Sequence, residues 1–193
     1  MSEMEQVARK ADRSTDRALL AIDPGTEKSG WCIFSDGKVS ESGIDENEVV
    51  LSMVYGWLGE PMAIEMVASY GMPVGREVFE TVLWIGRFVE AHSSPDSVRL
   101  VYRKDVKLHL CGSPKAKDAN IRQALLDMFP RTGGGKTPQI GIKAKPGPLY
   151  GVSTHAWAAL GVAVTAAHQM REVVARELAN GLKEVCDGAK QEA

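Results

Sequence analysis

The stretch ALLAIDPG at residues 18–25 gives the strongest indication of how this chain folds. Residues 18–23 form a short apolar run that ends on an acid, which is typical of a buried strand. Pro24 and Gly25 then turn the chain. A carboxylate at the end of a buried strand costs free energy unless it has a partner or binds a metal ion. Asp23 is therefore the first candidate for a functional residue.

The residues that follow predict an antiparallel meander. Residues 29–35 (SGWCIFS) have the composition of a second strand. Asp36-Gly37 is a two-residue hairpin signal, and residues 38–42 would return as the third strand.

Strands and helices alternate after the meander. Helical spacing of apolar residues predicts five helices over residues 46–59, 74–91, 106–111, 117–128 and 153–170. Apolar runs predict two more strands over residues 62–67 (MAIEMV) and 98–102 (VRLVY). This order indicates an α/β fold, a mixed five-stranded sheet of antiparallel meander plus βα units, flanked by helices.

The domain organisation follows from the same pattern. We expect a flexible polar tail over residues 1–17, one domain over residues 18–170 and a charged helical extension over residues 171–193. The helix over residues 74–91 is unusually apolar and should pack on two sides. Either one side contacts a second copy of the chain, or the whole helix is buried within the monomer.

The charge distribution and the cysteine content limit the possible functions. Residues 99–150 hold eleven basic and three acidic residues, a net charge of +8, so the rest of the chain carries −10. This asymmetry predicts either a surface for a polyanion or a solvated charged face. The widely spaced Cys32, Cys111 and Cys186 indicate structural thiols in a reducing compartment. With no long apolar run and no secretory signal, we expect a cytoplasmic protein.

A second acid strengthens the case for a metal site. Glu65 lies in the middle of the predicted strand at residues 62–67, and two acids in separate core strands suggest a shared magnesium site. Two such ions can clamp an in-line phosphoryl transfer. His155, where the helix at residues 153–170 begins, is either a metal ligand or proton-transfer group, or a polar capping residue.

Four stretches in order along the chain resemble RuvC-type Holliday-junction resolvases. They are residues 19–25 with Ser29-Gly30-Trp31, Ile64-Glu65, residues 112–125 (GSPKAKDANIRQAL) and residues 155–168 (HAWAALGVAVTAAH). The last resembles the family's final helix, which normally reads D-x-x-D-A-L-A. The resemblance points to a phage-borne or otherwise divergent member, acting in a bacterium or a phage-infected bacterial cell.

The resemblance implies a homodimeric enzyme of ribonuclease-H-like fold that nicks a four-way DNA junction symmetrically, using two magnesium or manganese ions. Asp23 and Glu65 match the first two metal ligands, and His155 falls on the first acid of the final helix. Ala158 falls on the second acid and cannot bind metal. Either three ligands suffice, or Asp118 substitutes, or the protein binds without cutting.

The resemblance also implies how DNA is held. Four basic side chains would contact phosphates: Lys107, Lys115, Lys117 and Arg122. Tyr70 or Met72 would stack on junction bases, the alternative being that they pack within their loop. Independently of the resemblance, the glycine and proline content of residues 130–150 predicts a flexible basic loop, which would lie over DNA.

Two alternative functions stay open. One is a branched-DNA-binding protein without catalysis, which Ala158 suggests. The other is a nuclease of the same fold acting on RNA–DNA hybrids or flaps. The sequence identifies no helicase or other recombination partner.

Overall fold

The structure is a computed structural model that describes the backbone of residues 17–191 and the side chains of residues 17–181. The strands are β1 (Leu19–Asp23), β2 (Lys28–Ser35), β3 (Lys38–Glu46), β4 (Met62–Met66), β5 (Arg99–Tyr102), β6 (Gly141–Ile142) and β7 (Lys145–Pro146). The helices are α1 (Asn47–Gly56), α2 (Arg76–Ala91), α3 (Arg103–Cys111), α4 (Asp118–Met128) and α5 (Ala156–Gln191). The predicted N-terminal tail lies outside the described residues except for Arg17.

The main sheet has five strands in the order β3-β2-β1-β4-β5. Strands β1, β2 and β3 pair antiparallel, whereas β4 pairs parallel with both β1 and β5. The predicted mixed sheet is confirmed. The hairpin turn is confirmed too, because Asp36 and Gly37 have φ angles of 49° and 71°, as a two-residue turn of this type requires.

Strand β1 lies at the centre of the sheet and is buried on both faces. Leu20 and Ile22 pack against α1 and α2 on one face, and Leu19 and Ala21 face the cluster formed with α5 on the other. A continuous apolar run is what a strand covered on both sides requires. Four alanines of α5, Ala156, Ala159, Ala163 and Ala166, are fully buried, which lets this helix lie close on the sheet.

Helix α2 packs on one side only. Its buried residues are Thr81, Ile85 and Phe88, while Phe79 and Leu83 are 65% and 64% exposed. The alternative in which the whole helix is buried within the monomer is wrong, because α2 lies on the outside of its layer.

Residues 130–150 need a correction, since they form more than a loop. Strands β6 and β7 make a small hairpin, and backbone hydrogen bonds such as Gly133 N to Pro138 O at 2.8 Å tie the segment together. Leu149 is fully buried in the core. A side chain on Gly141 or Gly147 would collide with neighbouring backbone, so the glycines serve close packing.

Several helix boundaries differ from the sequence prediction; α1, for example, ends at Gly56 instead of residue 59. Helix α3 begins at Arg103, three residues early, directly after β5. Helix α5 begins at Ala156, three residues late, and continues without a break to Gln191. Among residues 17–191, no helix has the length and apolar character to cross a bilayer.

Candidate active site

Asp23 and Glu65 lie side by side on neighbouring strands. Parallel pairing of β1 with β4 places Ile22 opposite Ile64, so the next residue on each strand is one of the two acids. Since Ile22 and Ile64 face α1 and α2, both carboxylates point to the opposite face, where α5 lies. Their side chains are 19% and 12% exposed.

The surroundings of the two acids disfavour their charged forms. Burial raises the pKa of Asp23 to about 6. Burial and the neighbouring Asp23 carboxylate together raise the pKa of Glu65 to about 8. Two buried carboxylates this close favour either a shared proton or a bound cation.

We expect this pair to make the stability of the metal-free protein depend on pH. The pKa of Glu65 is raised in the folded state from 4.5 to about 8, so the folded chain keeps a proton that the unfolded chain loses across this range. Stability of the metal-free protein should therefore fall as pH rises from about 4.5 to about 8. Glu65→Gln should remove most of this loss of stability. Each gain of about 1 kcal/mol in the free energy of unfolding would raise Tm by about 2–4 °C.

Thermal unfolding in EDTA, at about pH 5 and about pH 8.5, measures the difference. The variant should exceed the wild type only at the higher pH. Glu41→Gln, the same change at an exposed site on β3, is the control and should leave the pH dependence unchanged. Parallel pH curves for wild type and Glu65→Gln would contradict the prediction.

His155 comes next to Asp23 because a glycine leaves room for it. Its Nδ1 lies 3.6 Å from Asp23 Oδ2, and its side chain is 73% exposed. Gly30 is the partner of Asp23 in the β1–β2 ladder. A Cβ on Gly30 would lie 2.5 Å from the carbonyl oxygen of His155, so glycine lets the residues before α5 rest directly on β2.

Gly30→Ala should push His155 away from Asp23. The neighbour that would have to move is backbone, so we expect a cost of about 1–3 kcal/mol in the free energy of unfolding. Urea unfolding measures this cost. Gly181→Ala adds a methyl group to α5 where nothing lies within 4 Å, so it should be neutral or stabilising. Equal stability of the two variants would disprove the close-approach role of Gly30.

The turn after Asp23 is held by two buried polar side chains. Ser29 Oγ donates to Asn47 Oδ1 at 2.6 Å, and Asn47 Nδ2 donates to the Gly25 carbonyl at 3.0 Å. Both side chains belong to fully buried residues. Sequence reasoning missed this role for Ser29 and Asn47, because only the folded chain brings them to the turn.

Arg103 is a site residue that sequence reasoning also missed. Its Nη1 lies 3.4 Å from Glu65 Oε2, and its Nη2 donates to Asp118 Oδ1 at 2.5 Å. The available signal was its place directly after the strand predicted at residues 98–102. That strand, β5, runs parallel to β4 and pairs Val101 with Glu65, so the residues after it reach the same edge of the sheet.

These side chains line one open cleft of about 870 Å³ between the sheet edge, α4 and the residues preceding α5. Asp118 stands at its outer edge, with a side chain that is 79% exposed. Ala158 also lines the cleft and offers no ligand.

The donor set fits a hard divalent cation. Two buried carboxylates with an adjacent imidazole provide oxygen and nitrogen ligands, and a cation would relieve their mutual repulsion. Within the described part of the chain, no three His, Cys, Asp or Glu side chains already converge on one point. Binding through Asp23, Glu65 and His155 would therefore require side-chain adjustment.

The predicted DNA contacts are spread around this cleft. Arg122 lines it, with its guanidinium carbon 4.8 Å from the centre of the Trp157 ring. Lys115 and Lys117 are exposed just before α4, whereas Lys107 on α3 is half-buried and does not line the cleft. Their DNA contacts stay predictions.

Tyr70 lies in the segment that follows β4. It is 63% exposed, and Met72 is 73% exposed. The alternative in which they pack within their loop is wrong, because neither side chain is covered. They stay candidates for contact with a partner.

Comparisons with known proteins agree with this architecture. No family model matches the sequence, and no curated protein does. A structure of Thermus thermophilus RuvC matches with a TM-score of 0.57 and 17% identity, over 81% of this chain and 97% of that one. T. thermophilus RuvC in complex with a Holliday junction substrate matches with a TM-score of 0.56 and 18% identity, over 82% and 97%. This chain therefore has a divergent RuvC-like fold.

Proposed function

We propose that this protein is an endonuclease that cuts four-way DNA junctions by metal-dependent phosphodiester hydrolysis. The observation that carries the proposal is the buried Asp23–Glu65 pair with His155 beside it, in an open cleft of a RuvC-like fold. A similar structure holds a Holliday junction, which supports branched DNA as the substrate.

The reaction would proceed by attack of a water oxygen on phosphorus, with cleavage of the bond from phosphorus to the leaving sugar oxygen. Asp23, Glu65 and His155 would hold magnesium or manganese, which when bound lowers the pKa of water and offsets phosphate charge. His155 is the exposed group of the three, so it is also placed to move a proton to or from the solvent side.

The charge around the cleft suits a phosphate backbone. Residues 99–150 carry a net charge of +8, and the cleft is open enough to admit a strand rather than a small ligand alone. Arg122 and the exposed Lys115 and Lys117 would bind phosphates at its rim, with an affinity that falls as salt rises. Tyr70 would stack on bases at the opened centre of the junction.

The outer face of α2 supports the proposed homodimer. Phe79, Val82 and Leu83 are exposed on one stripe of this helix, and next on that stripe comes Gly86, where an added Cβ would meet nothing within 4 Å. An apolar stripe with a glycine allows a second helix to come close. Two copies joined here would present two clefts to a symmetric junction.

Binding without cleavage is the second candidate, and Ala158 favours it. This residue stands in the cleft where the resemblance places an acid. Under this alternative the protein would bind junctions selectively and leave them intact in both metals. A nuclease for RNA–DNA hybrids or flaps stays the third option, and a monomeric protein would favour it.

Cleavage of a labelled mobile four-way junction, beside a linear duplex of the same sequence, tests the proposal. Paired symmetric nicks in the junction alone, with magnesium or manganese, are the expected result. Tight junction binding without nicks in either metal would replace the proposal with the binding function. Cutting of the linear duplex at the same rate would exclude structure selectivity.

A further inference from the structure

We propose that Arg103 supplies a fixed positive charge in the place of a second metal ion, so that each cleft holds one divalent cation. This inference rests on the proposed nuclease function and changes the number of ions expected from the family resemblance. It makes Arg103 a side chain that would contact the substrate phosphate directly.

The contacts of Arg103 place its charge inside the cleft. The guanidinium bridges Glu65 Oε2 at 3.4 Å and Asp118 Oδ1 at 2.5 Å, and its side chain is only 28% exposed. Through Nη1 and Nη2 the guanidinium is held by both carboxylates, and it contacts one Glu65 oxygen that a second ion could otherwise bind. A planar guanidinium has five N–H donors, so donors remain for a phosphate in the cleft.

The charges that line the cleft favour one ion over two. The carboxylates lining it are those of Asp23, Glu65 and Asp118, and Arg103 and Arg122 are the cations there. Arg122 lies over the Trp157 ring and has no carboxylate contact among the described ion pairs. Three carboxylates and two guanidinium groups leave a net charge of −1 when all are ionised, so one divalent ion already brings the cleft to +1. A second ion would raise this to +3 before any phosphate entered.

The start of α5 offers no replacement ligand. Ala158 takes the position one turn after His155, where a carboxylate could have completed a second site. His155 is neutral when it binds a metal, so it adds no negative charge. The missing carboxylate at Ala158 and the Arg103 guanidinium therefore both make the cleft less negative and less able to hold a second ion.

Counting bound manganese tests the inference without any DNA. Titration of the full-length protein, followed by the EPR signal of free Mn²⁺, should give one ion per chain for the wild type. Ala158→Asp should raise the count to two, because it restores a carboxylate to the cleft. Arg103→Lys keeps the charge and should keep the count at one, while Arg103→Ala should raise it towards two.

Cleavage kinetics test the same inference in the presence of the DNA substrate. The rate should depend on the first power of Mn²⁺ concentration in the wild type. Arg103→Ala should lower the rate by about 10²-fold, the size of effect seen when one fixed donor to a developing charge is lost. Arg103→Lys should lose less, because it keeps a charge without the fork-shaped donor pair.

The outcomes separate this inference from the proposed function. Two ions per chain, or none, in the wild type would overturn the role of Arg103 even if the protein cuts junctions. A count of one in a protein that leaves junctions intact would instead contradict the nuclease proposal. An unchanged count in Arg103→Ala would also overturn the inference.

Discussion

Asp23→Asn should abolish junction cleavage while junction binding and stability are kept. Asparagine has nearly the same shape as aspartate but cannot supply the negative charge that a magnesium ligand provides here. Removing a residue that only hydrogen-bonds a metal ligand lowers metal affinity or activity by about 10–100-fold. We therefore expect removal of the ligand itself to lower the cleavage rate by more than about 100-fold. The buried site does not need the charge for folding, since burial already raises the pKa of Asp23 to about 6.

Single-turnover cleavage, junction binding by gel shift and thermal unfolding together measure this prediction. The matched control is Asp96→Asn, the same change at an exposed residue in the turn before β5, at the other end of the strand from the cleft. It should behave as the wild type in all three assays. Normal cleavage by Asp23→Asn would remove this carboxylate from the mechanism.

Leu83→Glu should convert a dimer into monomers. Leu83 is 64% exposed on the outer stripe of α2, and pairing two such stripes would bury a glutamate from each chain. An unpaired buried charge costs about 3–5 kcal/mol, which weakens association by roughly 100-fold or more at about 1.4 kcal/mol per factor of ten. Paired nicks should be lost with the dimer, and any remaining cuts should fall on single strands independently.

Sedimentation velocity, run over a range of concentrations, measures the association directly. Val173→Glu is the control, because Val173 is an exposed apolar residue (41%) on α5 and not on α2, and it should leave the dimer intact. A wild-type protein that sediments as a monomer would contradict the proposed dimer. A Leu83→Glu protein that stays dimeric would place the interface elsewhere.

The sheet could be predicted because its signals are local. The apolar run at β1, the Asp36-Gly37 turn and the alternation of later elements each depend on residues close in sequence. Asp23 and Glu65 could be identified for the same reason, since a carboxylate within or at the end of an apolar run is recognised from its neighbours in the sequence alone. Their adjacency then followed from placing β1 and β4 in one sheet.

The segment at residues 130–150 shows where local signals fail. Its glycine and proline content indicated a loop, but Leu149 is buried and Gly141 and Gly147 pack against backbone. A glycine-rich segment has the same composition whether its glycines give the backbone conformational freedom or allow close contact with neighbouring backbone. Only the neighbours, which are distant in sequence or across a turn, distinguish the two.

The sequence by itself determined the mixed sheet, the two acids on its strands and the histidine at the start of the last helix. The apolar runs must be buried, and few arrangements of strands and helices bury all of them. Only the tertiary structure decided that Arg103 bridges Glu65 and Asp118, that Gly30 admits His155 to the site, and that α2 leaves Phe79 and Leu83 uncovered. The physical reason is that these features are distances and exposures between elements. Such quantities depend on how strands pair and helices dock, and no local pattern of residues encodes them.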